Sequence, residues 1–139
     1  VTHVLRGALL SIVLPAAIFA GAQETASPPP GFVTLSREGE TVGPLEKHRV
    51  EGKYTVFDIF ADWCAPCRLI DARLREITAE RKDVAVRKLN VVSFESPLAR
   101  ELGPDFETLP FVVVFSPDGK RTDILGADLA KLDRTLGAE

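Results

Sequence analysis

From Tyr54 to Ala61 the chain reads Tyr-Thr-Val-Phe-Asp-Ile-Phe-Ala, apolar and β-prone throughout except at Asp58. Without polar alternation, the run predicts a strand buried on both faces. Behind it, Pro66, Ile70, Leu74 and Ile77 recur at helical spacing, while Arg68, Asp71, Arg73, Arg75 and Glu76 fall mostly on other faces. That pattern predicts an amphipathic helix over Ala65–Arg81. Further along, the periodicities predict a strand at Val84–Asn90, a short helix at Pro97–Leu102, and strands at Phe111–Phe115 and Thr122–Leu125, followed by a final helix. Leu125, Leu129, Leu132 and Leu136 give that helix an apolar stripe, and Gly137 is placed to end it. Ser116-Pro117-Asp118-Gly119 carries turn residues between the last two strands. Upstream, Phe32–Leu35 and Thr41-Val42, around Glu38-Gly39-Glu40, predict a small hairpin, whereas Pro44–Val50 follows neither period. The order of elements is that of a mixed α/β domain.

The first thirty or so residues follow a different pattern. Val4–Ala22 holds one charge, Arg6, then an apolar run from Ala8 to Phe19, and closes on the small residues Ala20-Gly21-Ala22. This is the outline of a secretory signal peptide over residues 1–22. The alternative is an uncleaved membrane anchor, against which stand Pro15 and a run shorter than the ~20 residues a bilayer-spanning helix needs. Residues 23–31, with Ser27-Pro28-Pro29-Pro30, read as an extended polar tether, leaving one domain over residues 32–139.

Charge narrows the partners. The chain has 17 basic and 20 acidic side chains, a net charge of −3, and removal of residues 1–22 takes away Arg6 alone to leave −4. Neither figure points to nucleic acid or an anionic membrane surface. Export would place the domain where disulfides form and persist.

The only two cysteines stand in Trp63-Cys64-Ala65-Pro66-Cys67, directly behind the apolar strand. At this spacing two sulfurs close a small reversible disulfide, so that one thiolate attacks a target disulfide and its neighbour releases the mixed intermediate. A structural staple is a poorer reading, since so short a loop restrains the unfolded chain little. Cys64 sits where strand passes to helix. The unpaired N–H groups and positive dipole end there lower a thiol into the range of roughly 3.5–7.5, which makes Cys64 the expected nucleophile and Cys67 the resolving partner. Pro66 suits a first helical turn.

Asp58-Ile59-Phe60-Ala61-Asp62-Trp63-Cys64-Ala65-Pro66-Cys67 resembles the active-site segment of the thioredoxin superfamily, including an acid six residues before the first cysteine. Val86–Asn90 resembles the family's next central strand, Thr108–Phe115 its cis-proline and following strand, and Leu125-Gly126-Ala127 its last groove segment. The resemblance runs from about Tyr54 to Leu136. It implies a thioredoxin fold, a central mixed sheet with helices on both faces, and thiol-disulfide oxidoreductase activity without a cofactor. It also implies a docking groove shaped by Trp63, Ala65, Pro66, Leu109, Pro110, Gly126 and Ala127. Exported reductases of this kind draw electrons from a membrane relay protein, so protein disulfides and such a relay are the expected partners of a monomer. The Ala65-Pro66 pair resembles reducing members more than oxidising ones.

Each of these residues also has a plainer reading. Asp58 is either a solvent-facing acid at an edge or the family's buried acid, in which case it deprotonates Cys67 through water. Lys88 is either an ordinary exposed lysine or the family lysine beside that acid. Trp63 is either core or an exposed aromatic that meets substrate, and Pro110 either an ordinary trans proline or a cis residue facing the cysteines. His48 has no expected chemistry. Two readings from other classes stay open: soft-metal handling, such as Cu(I), through the two thiolates, and a binding module that keeps only the fold. Methionine is absent and no third soft ligand is near, so a complete zinc site within the chain is not expected. Two departures from the family pattern stand out. Ala72 replaces a helix-kinking proline, and Arg37–Val42 with Glu51-Gly52-Lys53 is similar to the opening of exported reductases that serve cytochrome maturation, but without the extra segment those proteins carry.

Overall fold

A computed structural model describes residues 28–138. The expected signal peptide and residues 23–27 of the tether lie outside the described residues. Five strands form one sheet: β1 (Phe32–Ser36), β2 (Tyr54–Phe60), β3 (Val84–Asn90), β4 (Phe111–Phe115) and β5 (Arg121–Leu125). Three α-helices accompany them, α1 (Cys67–Glu80), α2 (Pro97–Leu102) and α3 (Leu129–Leu136), with a single 3-10 turn at Leu45–His48.

The strand order is β1-β3-β2-β4-β5, parallel across the first three and antiparallel from β2 to β4 and from β4 to β5. β2 takes the centre because both of its faces are apolar. Val56, Phe57 and Ile59 are fully buried. On one face Val56 and Val86 pack against Ile70, Leu74 and Ile77 of α1 and Leu132 and Leu136 of α3; on the other Phe57, Ile59 and Leu89 pack with Leu98 of α2 and Leu45 of the 3-10 turn. Helices therefore cover both faces, as the resemblance implies. Each large side chain fully withdrawn from water contributes about 1.5–3 kcal/mol, and these two layers hold the sheet rigid beneath the site.

The predicted hairpin at Phe32–Val42 does not form. β1 pairs instead in parallel with β3, Phe32 opposite Val86 and Thr34 opposite Lys88. The turn that would have closed a hairpin is occupied by the Glu40 carboxylate, which accepts from the amides of Arg37 and Glu38 at 3.0 and 2.7 Å and from the Ser36 hydroxyl. Those bonds, the Arg37 amide foremost, hold the Glu40 carboxyl down to about 2. Val42 then donates to Glu101 rather than to a strand. Leu125 also departs from the expected helical stripe. It lies in β5, where alternation turns Ile124 inward and leaves Leu125 exposed, and α3 starts only after Asp128, whose Oδ1 accepts from the Lys131 amide. Gly137 closes α3 in the left-handed conformation, as its position predicts. α1 begins at Cys67, two residues later than the apolar pattern alone places it.

Candidate active site

The end of β2 delivers Ala61 and the turn Asp62-Trp63 to the first cysteine, and the Cys64 amide donates to the Ala61 carbonyl at 3.0 Å. Ala65-Pro66 complete the turn into α1, both exposed. Pro66 already has helical dihedrals at the position before the helix, so its missing N–H removes no helical bond. Cys67 is the first residue of α1. Cys64 and Cys67 are joined in a disulfide with Cα atoms 5.4 Å apart, and both are almost covered, at 4% and 3% exposure.

Of the residues expected to shape the groove, Trp63, Ala65 and Pro66 belong to the cysteine turn itself and Leu109 packs on its cluster. Trp63 is 59% exposed and its Nε1 donates to the Val92 carbonyl at 2.6 Å. The ring packs on Phe94 at 5.9 Å between centroids, and Phe94 on Phe106 at 5.7 Å, continuing to Phe111 at 5.8 Å. The Leu109-Pro110 bond is cis, Pro110 is buried, and Leu109 packs on the cluster that contains both cysteines. The Pro110 carbonyl accepts from the Gly126 amide at 2.8 Å, which ties the loop to the start of the last segment. Ala127 packs instead on the α1 and α3 side of the sheet, away from the cysteine cluster. His48 sits apart, its Nε2 within 2.8 Å of the Val42 carbonyl.

Beneath the cysteine turn is a chain of charges. Asp58 is 0% exposed, so the edge reading fails. β2 and β3 run in register with Asp58 opposite Lys88, and the Lys88 ammonium donates to Asp58 Oδ2 at 2.5 Å. Asp58 Oδ1 has no partner among the described residues. Burial pushes the Asp58 carboxyl above the ordinary range even against the pull of Lys88, because the field of one shared ammonium does not repay complete loss of water. Lys88 is not the ordinary exposed lysine either: its side chain is 13% exposed, and its Nζ lies 4.2 Å from the centre of the Phe60 ring. That Nζ also donates to Asp71 Oδ1 at 2.8 Å, and Asp71 Oδ2 accepts from Arg75 at 2.6 Å. Burial raises Asp71, but the hydrogen bonds from Arg75 and Lys88 outweigh it and hold the carboxyl below its usual range.

A cleft of about 300 Å³ opens along this chain, lined by Cys64, Cys67, Asp71, Arg75 and Lys88 among others. Lys88 thus joins the buried acid to the space beside both sulfurs. Sequence reasoning misses Asp71 and the Val92 carbonyl. The spacing Cys67 to Asp71 is one helical turn, which sets the acid on the cysteine's own face of α1, and that is the signal that points to it. Nothing in the residue type of Val92 announces a main-chain acceptor.

The thioredoxin family model matches residues 45–137. The chain belongs to the thioredoxin family. Mitochondrial thioredoxin O2 of Arabidopsis thaliana is 31% identical over 106 residues, covering 76% of this chain and 65% of that protein. Thiol:disulfide interchange protein DsbD 2 of Pseudomonas aeruginosa is 28% identical over 105 residues, which are 72% of this chain and 18% of the larger protein. The chain therefore spans less than two thirds of each of these two relatives. The crystal structure of oxidised thioredoxin O2 superposes with a TM-score of 0.59 at 28% identity, over 77% of this chain and 92% of that one. An intact cysteine pair on a thioredoxin domain assigns the domain's chemistry to thiol-disulfide exchange.

Proposed function

We propose that this thioredoxin-family protein works outside the cytoplasm as a reductase of protein disulfides. The observation that carries the reaction is the Cys64-Cys67 disulfide at the head of α1, beside a cleft that leads through Lys88 to a buried acid. In the reduced protein the Cys64 thiolate attacks one sulfur of the target disulfide, forming a mixed disulfide and releasing the first target thiolate. Asp58 takes the Cys67 proton through water. The Cys67 thiolate then attacks the Cys64 sulfur, which releases the second target thiolate and closes Cys64-Cys67. Two electrons pass from the cysteine pair to the target, and the pair must be re-reduced before another turn.

The exposed Trp63, Ala65 and Pro66, with Leu109, Pro110 and Gly126, form the surface on which an extended target segment docks. Ala127 has the weaker claim, since it packs on the far layer. The apolar run and small-residue close of residues 1–22 support export, and likeness to an interchange protein supports re-reduction by a membrane-borne dithiol partner.

The test is reduction of a protein disulfide by the purified protein with a dithiol supplied. Cys64→Ser is expected to abolish turnover and Cys67→Ser to accumulate mixed disulfides. Full activity in Cys64→Ser would overturn these roles. Recovery of a chain still carrying residues 1–22 from cytosol would overturn the location.

A further inference from the structure

The Lys88 ammonium is divided between two carboxylates, one wholly buried on β2 and one on the rim of the cleft. Asp71 belongs to α1 and stands one turn from Cys67, so the helix that carries the resolving cysteine also carries the second claimant on Lys88. Asp71 is itself anchored, with Arg75 on its other oxygen and 28% of its side chain in contact with solvent. The charged groups on this side of the site are Asp58 from β2, Lys88 from β3, Arg68, Asp71 and Arg75 from α1, and Asp62 from the turn between β2 and α1. β1 contributes Thr34 opposite Lys88, and β4 contributes the apolar Val112 opposite Asp58. Asp62 is engaged with Asn90, which leaves Asp71 as the carboxylate that competes for Lys88.

Resting on the exchange chemistry above, we propose that Asp71 is a positioning residue for the redox centre: by sharing the Lys88 ammonium with Asp58, it keeps Asp58 basic enough to accept the Cys67 proton. The physical argument is one of sharing. An ammonium given wholly to Asp58 would stabilise its carboxylate and leave it a weak base, whereas a second carboxylate on the same ammonium weakens that hold and adds its own repulsion. The Asp71 charge acts on Asp58 in the raising direction, in agreement with this geometry. In this role Asp71 acts through Lys88 and moves no proton itself.

The experiment is a carbon-13 carboxyl NMR titration of Asp58 in the oxidised full protein, wild type against Asp71→Asn, together with turnover against pH in the reducing assay. Asp71→Asn is expected to lower the Asp58 midpoint by on the order of one pH unit, the size of interaction anticipated for two carboxylates bridged by one ammonium. The acid limb of the turnover profile should move down with it. In an Asp58→Asn background, Asp71→Asn should leave the profile where it was. Arg75→Gln, which frees Asp71 to turn wholly to Lys88, should move the midpoint the other way. An Asp58 midpoint unmoved by Asp71→Asn, or a downward move in Arg75→Gln, overturns the proposal. The NMR arm needs no turnover, so an absence of disulfide reduction would defeat the reductase reading while leaving this midpoint measurable.

Discussion

Replacing Asp58 with asparagine tests the energetics of the site most directly, because the shape is kept and only the ionisable group is lost. Two effects oppose each other. Breaking a buried ion pair costs about 3–5 kcal/mol where it strands the surviving charge. Here it does not: Lys88 keeps Asp71 at 2.8 Å and is partly solvated. The orphaned Oδ1 of Asp58 becomes an orphaned amide group in the variant, a cost of about 1–3 kcal/mol that both proteins carry, so charge decides the sign. A raised carboxyl binds its proton more tightly in the folded state than in the unfolded one. Wild-type stability therefore falls as pH climbs from the unfolded Asp value, about 3.9, through the higher folded value, at about 1.4 kcal/mol for each unit between them. Asp58→Asn lacks that slope. We expect the variant to match the wild type near pH 3 and to exceed it by about 1–3 kcal/mol at pH 8, where each kcal/mol raises Tm by about 4–8 °C for a domain of this size. Thermal and urea unfolding of the oxidised proteins from pH 3 to 9 measures the gap, and turnover over the same range reports the proton acceptor. The variant should resolve mixed disulfides more slowly, most of all at low pH where little Cys67 ionises unaided. A gap that does not grow with pH, or a variant less stable than wild type at pH 8, would refute the reasoning.

Leu74→Ala removes a fully buried side chain between α1 and the sheet and should cost about 2–5 kcal/mol, read as a lower urea midpoint at unchanged slope; a loss below about 1 kcal/mol would mean the layer collapses into the space. Trp63→Ala deletes a mostly exposed ring, so stability should change by less than about 1 kcal/mol while KM for a protein disulfide rises more than kcat falls. A KM equal to that of the wild type would remove Trp63 from the docking surface.

What the sequence makes legible follows from the range of the forces involved. β2 and the cysteine turn are readable because apolar runs, helical spacing and C-x-x-C are local patterns. The burial of Asp58 is readable only with the resemblance added, since one acid in an apolar strand fits an edge as well as a core. β1 is read as a strand but given the wrong partner. Its pairing with β3 is settled by contacts fifty residues away and by Glu40, whose carboxylate competes for the amides a hairpin would use. Leu125 deceives because Leu125, Leu129, Leu132 and Leu136 keep helical spacing across a strand-to-helix boundary that only the Asp128 cap reveals. Asp71 hides among the charges of α1. A surface acid on an amphipathic helix ordinarily meets water, and what sets this one apart is a lysine on another strand.

Val92 is the one non-glycine among the described residues with a positive φ, 64°, an unfavourable conformation for a β-branched residue. That backbone turn aims its carbonyl at the Trp63 indole, and the Val92 residue is 45% exposed. The tryptophan is consequently moored to a main-chain atom that every amino acid possesses. Position 92 can change in size, polarity or charge without cutting the mooring, and glycine or asparagine would relax the turn while keeping it. Under the docking role proposed for Trp63, the chain separates a fixed aromatic mount from a variable neighbour, and editing residue 92 would alter that surface without touching Cys64, Cys67, Asp58 or Lys88.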